Sequence, residues 1–193
     1  MFPSSRTLAN AVVADLPLVP GDVVVELGAG TGPITAALAD VVARVGSIRC
    51  LVIEREPGFC RILRERYPNM LVHEGSVEDL PAILAAYDLP PPKVVVGGLP
   101  YAAMPEPVVR SMLTAAHAAL ADGGVFRTFN FLGRHLLPGS RRLRRILHET
   151  FSPAETRRRV WCNLPPALVM SGTKRKARAG SPRSGTPPVA STA

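Results

Sequence analysis

The stretch VVVELGAGTG at positions 23–32 decides the fold. It begins with a run of β-branched residues, which is typical of a strand buried on both faces of a parallel sheet. The glycines that follow allow the backbone to pass close to a ligand, because a β-carbon there would collide with it. Ile34, Leu38 and Val41 come next at helical spacing. We therefore predict a strand, a glycine-rich turn and a helix in direct succession.

The same alternation of strand and helix continues along the chain, which predicts a parallel sheet with helices on both faces. Predicted strands lie at 23–25, 48–53, 70–73, 93–96, 125–131, 160–162 and 167–170. Predicted helices lie at 4–16, through 34–41, from Pro57 onward with Phe59, Ile62 and Leu63 on one face, and at 80–87, 107–120 and 141–148. The expected fold class is a single-domain, doubly wound (Rossmann-like) α/β fold. Its seven-stranded sheet is mostly parallel, with an antiparallel last strand.

Domain organisation follows from composition. Residues 1–170 are predicted to form one domain, and residues 171–193 a basic, Ser/Pro-rich disordered tail that lacks apolar content. The chain has no run of about twenty apolar residues and no signal-like start, so we expect a cytoplasmic protein without a transmembrane helix. The cysteines at 50, 60 and 162 are too scattered for a disulfide framework or a zinc site, and no metal is expected.

The net charge of the chain indicates which kinds of partner it can bind. A net charge of +8 and a pI near 10.2 favour a polyanionic partner, either a nucleic acid or a membrane surface with acidic lipids. The positive charge is concentrated at 141–145, 157–159 and 174–176. A solvated helix face and a disordered tail explain such runs equally well.

The glycine-rich turn predicts a particular cofactor. Its G-x-G-x-G spacing differs from the G-x-G-x-x-G of dinucleotide sites. Glu26 suits a ligand with an amine, such as the methionyl end of S-adenosylmethionine, and Glu54 can accept both ribose hydroxyls. The segment 75–77 would lie along the adenine. A nicotinamide cofactor is the alternative. The predicted cofactor site consists of Glu26, Gly28, Ala29, Gly30, Thr31, Gly32, Glu54, Arg55, Gly75, Ser76, Val77 and Gly97.

The predicted catalytic site follows the fourth strand, at the carboxyl edge where open α/β sheets bind ligands. It consists of Gly98, Leu99, Pro100 and Tyr101. Pro100 fixes its own φ and restricts Leu99, so the backbone carbonyls of Gly98 and Leu99 can be held toward an amine. The face of Tyr101 can stack on a base or hold a quaternary ammonium by cation–π attraction. The alternative is a tight proline turn with an ordinary core tyrosine.

A second wall of the substrate pocket is predicted near the end of the last strand pair. Trp161 would form this wall and Asn163 would supply a polar contact. A core tryptophan is the alternative. The histidines show no metal-ligand spacing and no partner for a nucleophilic triad.

From about residue 3 to residue 170, the chain resembles the bacterial phospholipid N-methyltransferases that methylate phosphatidylethanolamine. The resemblance rests on PSSR at 3–6, VELGAGTG at 25–32, GLP at 98–100 and WCNLPPA at 161–167. It implies an enzyme that transfers methyl groups from S-adenosylmethionine to a lipid ethanolamine amine. It also implies docking on anionic membranes through basic amphipathic helices, which matches the arginine-rich segment at 141–145. The oligomeric state is not predicted.

The chain departs from the family pattern at Ser76, where Asp is usual, and at 101–104, which replaces a more apolar stretch. The Leu-Pro-Tyr at 99–101 also resembles the corresponding motif of ribosomal RNA adenine N6-methyltransferases. Against RNA stand Gly98, where those enzymes carry Asn, and the expectation that no helical RNA-gripping domain follows the last strand. The sequence is also compatible with methylation of a small-molecule amine, and with a non-catalytic protein that keeps this fold.

Overall fold

The computed structural model describes residues 5–131, 137–152, 154–161 and 166–175. Within them the strands are β1 (Val23–Leu27), β2 (Arg49–Glu54), β3 (Leu71–Glu74), β4 (Val94–Gly97), β5 (Val125–Phe131), β6 (Ala154–Val160) and β7 (Ala167–Thr173). The helices are α1 (Arg6–Val13), α2 (Pro33–Val45), α3 (Pro57–Arg66), α4 (Leu80–Ala86), α5 (Glu106–Ala119) and α6 (Pro138–Thr150). Predicted features at Cys162 and in the tail from residue 176 lie outside the described residues.

In the described part of the chain the seven strands form one sheet in the order β3-β2-β1-β4-β5-β7-β6. Strands β1 to β5 pair in parallel, whereas β7 runs antiparallel to both of its neighbours. This arrangement confirms the predicted doubly wound sheet with an antiparallel last strand. The strand order reverses between β1 and β4, and ligands of open α/β sheets bind at such a switch point.

Successive residues of a strand pack alternately into two hydrophobic cores, one on each face of the sheet. Val23, Val25 and Leu27 of β1 pack in the cluster that contains α4, α5 and α6. Val24 packs on the opposite face, in the cluster that contains α1, α2 and α3. Because both faces of β1 are covered, all five of its residues are buried, as its β-branched run predicts.

A buried arginine holds the N-terminal helix against the sheet. Arg127, in β5, is only 2% exposed. Its guanidinium donates to the carbonyl oxygens of Val12 (3.1 Å) and Ala14, at the C-terminal end of α1. These carbonyls have no partner within the helix, so a buried cation here satisfies the helix end.

The structure corrects three element boundaries and the position of one side chain. Helix α1 covers 6–13 rather than 4–16, β7 continues three residues beyond position 170, and Ile62 on α3 is exposed rather than on the apolar face. Strand β6 spans 154–160 rather than 160–162, so the basic run at 157–159 belongs to a strand. Among the described residues β6 is an edge strand that pairs with β7 alone, and an edge tolerates charged residues that a central strand does not.

Candidate functional site

Three glycines shape the turn between β1 and α2. Gly28, Gly30 and Gly32 have φ angles of +72°, +56° and +86°, a region in which a side chain is strained. The N–H of Gly28 donates to the carbonyl of Ile53 (2.8 Å), which holds the turn against the end of β2. Among the described residues, a β-carbon built on Gly30 meets no atom within 4 Å. The glycine is therefore needed there for its backbone conformation, and the space beside it is open.

Glu54, the last residue of β2, fixes the same turn from the other side. Its Oε2 accepts from the N–H of Gly30 (2.8 Å), and its Oε1 accepts from the N–H groups of Arg55 (2.9 Å) and Glu56 (3.0 Å). A carboxylate offers about four lone-pair positions, so these donors leave one, on Oε2. That Glu54 also accepts the ribose hydroxyls stays a prediction, and one lone-pair position on Oε2 is open for a ligand in this conformation.

Glu26 is a wholly buried carboxyl beside the turn, with 0% exposure. Its Oε2 accepts from the hydroxyl of Thr35 (2.7 Å), and among the described residues its Oε1 has no hydrogen-bond partner. Burial raises the pKa of Glu26 to about 8; the Thr35 hydrogen bond opposes this rise, and the charge of Glu54 adds to it. A buried acceptor without a donor is costly. Glu26 therefore fits a ligand that brings a cationic N–H donor, as the methionyl amine of S-adenosylmethionine would.

The end of β3 lies next to the end of β2, because the N–H of Gly75 donates to the carbonyl of Glu54 (3.0 Å). Ser76 caps a short 3-10 turn, and its hydroxyl oxygen accepts from the N–H of Glu78 (3.3 Å). The side chain of Val77 is buried in the core. The predicted adenine contact of Gly75, Ser76 and Val77 stays a prediction.

The other members of the predicted cofactor set surround the turn. Ala29 is buried, whereas Thr31 and Arg55 are exposed. A β-carbon on Gly32 would lie 2.9 Å from a methyl group of Leu63, so packing as well as conformation requires glycine there.

The loop after β4 lies directly against the glycine-rich turn. The N–H of Gly98 donates to the carbonyl of Leu27 (2.8 Å), and a β-carbon on Gly98 would lie 2.7 Å from the carbonyl oxygen of Gly28. The side chain of Leu99 covers Gly28, where a β-carbon would lie 2.3 Å from its Cδ2. The predicted cofactor turn and the predicted catalytic loop therefore meet at the switch point.

The backbone carbonyls of this loop differ in what they can still accept. The carbonyl of Gly97 accepts from the Thr128 hydroxyl (2.9 Å), and that of Leu99 accepts from the N–H of Tyr101 (2.9 Å). Among the described residues, no hydrogen bond ends on the carbonyl of Gly98. Of the two carbonyls predicted to orient an amine, that of Gly98 is the one without a partner.

Tyr101 does not present an aromatic surface to a substrate. It is 1% exposed, and its ring packs edge-on against Phe126 with 6.3 Å between the centroids. Its hydroxyl has no partner among the described residues, and burial raises the pKa of that hydroxyl well above its usual value. Tyr101 begins a 3-10 turn after the exposed Pro100, and this turn directs the ring inward. The structure thus shows a core tyrosine in a proline turn, and corrects the predicted exposed ring.

Trp161 is not a core tryptophan. It follows β6 directly and is 66% exposed. Asn163, the predicted polar contact beside it, lies outside the described residues. The role of Trp161 as a wall of the substrate pocket stays a prediction.

The apolar side of the arginine-rich helix α6 packs in the protein core, whereas the family resemblance implied that such a helix docks on a membrane. Its apolar residues Leu143, Ile146 and Leu147 are buried in the core, so they are not available for insertion into a membrane. Arg145 donates to both carboxylate oxygens of Glu106 on α5 (2.9 and 3.0 Å). None of the described helices is long and apolar enough to cross a membrane.

Sequence reasoning missed two threonines that support the site. Thr35 binds Glu26, and Thr128 binds the carbonyl of Gly97. Thr35 stands one position after Ile34, and both are buried, so α2 buries a polar residue beside an apolar one. A polar residue on the buried face of a predicted helix needs a hydrogen-bond partner. This is the signal by which the sequence could have identified Thr35.

The sheet order, the antiparallel β7 and the glycine-rich turn at the switch point define a class I S-adenosylmethionine-dependent methyltransferase. No protein-family model matches the chain. The chain is 39% identical over 170 residues to the ornithine lipid N-methyltransferase of Singulisphaera acidiphila, covering 86% of this chain and 83% of that protein. The chain belongs to the methyltransferase family that includes this enzyme, and S-adenosylmethionine is its methyl donor.

Two further comparisons are less extensive or more distant. Ribosomal RNA small subunit methyltransferase A of Thermotoga neapolitana is 38% identical over 104 residues, which are 52% of this chain and 36% of that protein. The structure of a SAM-dependent O-methyltransferase from Thermotoga maritima matches with a TM-score of 0.65 at 16% identity, covering 93% of this chain and 68% of that one. At this identity the structural match shows the fold alone.

Proposed function

We propose that this protein methylates the amine of a membrane lipid. The observation that carries the proposal is the similarity to the ornithine lipid N-methyltransferase, which extends over 86% of this chain and 83% of that protein. The similarity to the ribosomal RNA enzyme covers only 36% of that protein. A match over nearly the whole of both chains supports a shared substrate class better than a match confined to one part.

The geometry after β4 supports amine chemistry. When bound, S-adenosylmethionine supplies an electrophilic methyl group on its sulfonium sulfur. The carbonyl of Gly98, which has no partner among the described residues, accepts an N–H of the lipid amine and so orients the nitrogen lone pair. The amine must arrive neutral. When it takes up the methyl group, its nitrogen becomes a methylammonium. This ammonium releases a proton to solvent, because Tyr101, the one titratable side chain at 98–101, is buried.

Two lipid amines are candidates for the acceptor. Ornithine lipid is the substrate in the name of the similar enzyme from Singulisphaera acidiphila. Phosphatidylethanolamine is the substrate of the family that the sequence motifs resemble. Each presents a primary amine on a headgroup, so the same orientation by Gly98 serves both. Ornithine lipid is proposed first, because it is the substrate in the name of a relative that is 39% identical to this chain over 170 residues.

The test is a labelling assay with the full chain. The purified protein is incubated with methyl-labelled S-adenosylmethionine and detergent-dispersed ornithine lipid, phosphatidylethanolamine or ribosomal RNA, and the products are separated. We expect label in a lipid. Label in RNA alone, or no label in either lipid when calorimetry shows that the cofactor binds, would overturn the proposal.

A matched pair of variants tests whether the labelling of lipid depends on the predicted cofactor site. Glu54→Ala removes the carboxylate that holds Gly30, and we expect cofactor affinity to fall by about tenfold or more. Glu74 is the register partner of Glu54 on β3, but its side chain is exposed and lies 3.9 Å from the guanidinium of Arg64. Glu74→Ala should therefore keep both cofactor affinity and lipid labelling.

A further inference from the structure

Four large apolar side chains of the described residues are exposed: Val19 (59%), Ile62 (40%), Leu137 (49%) and Trp161 (66%). Val19 precedes β1 at its amino end, and Ile62 lies within α3. Leu137 and Trp161 instead lie at the carboxyl edge of the sheet, the edge that carries the methyl-transfer site.

The position of Trp161 follows from strand register. Phe131, the last residue of β5, pairs with Ala167, and Ala167 pairs with Val160. These three residues form one row across the carboxyl edge, and Trp161 is the next residue after Val160. Trp161 therefore lies just beyond that edge.

The position of Leu137 follows from helix packing. It is the N-cap of α6, and the helix begins so close to the loop after β4 that a β-carbon on Gly139 would lie 2.0 Å from the carbonyl oxygen of Ala102. Ala102 is in the turn that follows Gly98, Leu99 and Pro100. Leu137 is therefore next to the predicted catalytic loop.

Positive charge accompanies these apolar side chains. The backbone N–H of Arg141 donates to the carbonyl of Leu137 (3.1 Å), which places this exposed arginine one helical turn from Leu137. None of the ion pairs within the described ranges includes Arg141. A tryptophan, a leucine and an arginine outside those ion pairs, all on one edge, have the composition of a surface that binds at the interface of an anionic bilayer.

We propose that Leu137, Trp161 and Arg141 form a membrane-docking rim, which turns the carboxyl edge of the sheet toward the lipid surface. The proposal rests on the proposed lipid methyltransferase function and assigns its docking surface. Docking through this rim does not require the apolar side of α6, which is buried in the core. The rim brings the lipid amine to the loop that accepts it, so the lipid headgroup need not leave the interface.

Trp161 is the single tryptophan of the chain, so its fluorescence reports on this rim alone. The full chain is titrated with vesicles of phosphatidylglycerol and phosphatidylcholine in equal parts. We expect the emission to shift to shorter wavelength on binding, and to be quenched when the phosphatidylcholine carries brominated acyl chains. In co-sedimentation, Trp161→Ala should weaken vesicle binding by about tenfold, and Leu137→Ser by several-fold.

Ile62→Ser is the matched control, because it removes an exposed apolar side chain from α3, away from this edge. It should leave vesicle binding unchanged. Calorimetric cofactor affinity checks that each variant is folded.

Three results would overturn the rim. The first is vesicle binding with an unshifted Trp161 emission, which would mean that another surface docks. The second is equal weakening by Ile62→Ser and Trp161→Ala. The third is methylation of detergent-dispersed lipid without vesicle binding, which would leave the proposed function intact. Methylation of neither lipid, with normal cofactor binding, would overturn the proposed function itself.

Discussion

Replacing Glu26 with glutamine tests the protonation state of the buried carboxyl beside the glycine-rich turn. The folded protein holds the pKa of Glu26 at about 8, against an ordinary value of 4.5. Between these two values the folded chain keeps a proton that the unfolded chain has released. The free energy of unfolding therefore falls as the pH rises through this window, and the contribution is lost in full above the folded pKa. Glutamine has the same shape and no such proton.

The size of the effect follows from the width of the window. Each unit of pKa difference corresponds to about 1.4 kcal/mol. Between about pH 5.5 and pH 7.5, the wild-type protein should therefore lose about 2–3 kcal/mol of stability relative to Glu26→Gln. Because Glu26 is wholly buried, solvent does not screen this difference away.

Urea unfolding followed by circular dichroism, without cofactor and at several pH values in this range, measures the difference directly. Glu74→Gln, on the exposed end of β3, is the control and should follow the wild type at every pH. Parallel stability curves for wild type and Glu26→Gln would refute the reasoning. In calorimetry, Glu26→Gln should also bind S-adenosylmethionine about tenfold or more weakly, because an amide cannot ionise against the cationic amine of the ligand and so accepts a weaker hydrogen bond than a carboxylate.

Three other substitutions test the packing around the site. Gly98→Ala forces a β-carbon to within 2.7 Å of the Gly28 carbonyl oxygen; it should lower stability by about 1–3 kcal/mol and weaken cofactor binding, and unchanged calorimetry would contradict the close contact. Tyr101→Phe removes a buried hydroxyl that has no partner among the described residues; stability should hold or rise by about 1 kcal/mol, whereas a lower Tm would reveal a partner. Arg127→Met leaves the carbonyls of Val12 and Ala14 without this donor; amide exchange in α1 should accelerate, and unchanged exchange would show that the helix does not depend on Arg127.

The centre of the parallel sheet was predictable because β1, β2 and β4 are buried on both faces. Strand β1 has an uninterrupted β-branched run, and a glycine-rich turn marks its end. Strand β6 was misplaced because an edge strand has only one paired side, and its arginines at 157–159 give no apolar pattern. The β-branched and aromatic residues at 160–161 matched a strand pattern, but β6 ends at Val160.

The site was predictable where backbone conformation demands a residue type, as at Gly28 and Gly30. It was less predictable where the direction of a side chain depends on packing. Tyr101 follows a proline in a loop at the ligand edge, and its sequence context suits either an exposed or a buried ring. The choice is made by the contact with Phe126 on β5, which lies 25 positions further along the chain. No local pattern contains that contact.

Contacts within the protein itself hold the shape of the glycine-rich turn. Glycines lose more backbone freedom on ordering than other residues, and Gly28 and Gly30 are fixed by the carbonyl of Ile53 and the carboxylate of Glu54. The conformational entropy of this turn is therefore lost when the protein folds. Little further entropy is lost when the cofactor binds, so ordering of the turn does not weaken the affinity. Cofactor capture should accordingly proceed in one kinetic step, without a slow phase for loop rearrangement.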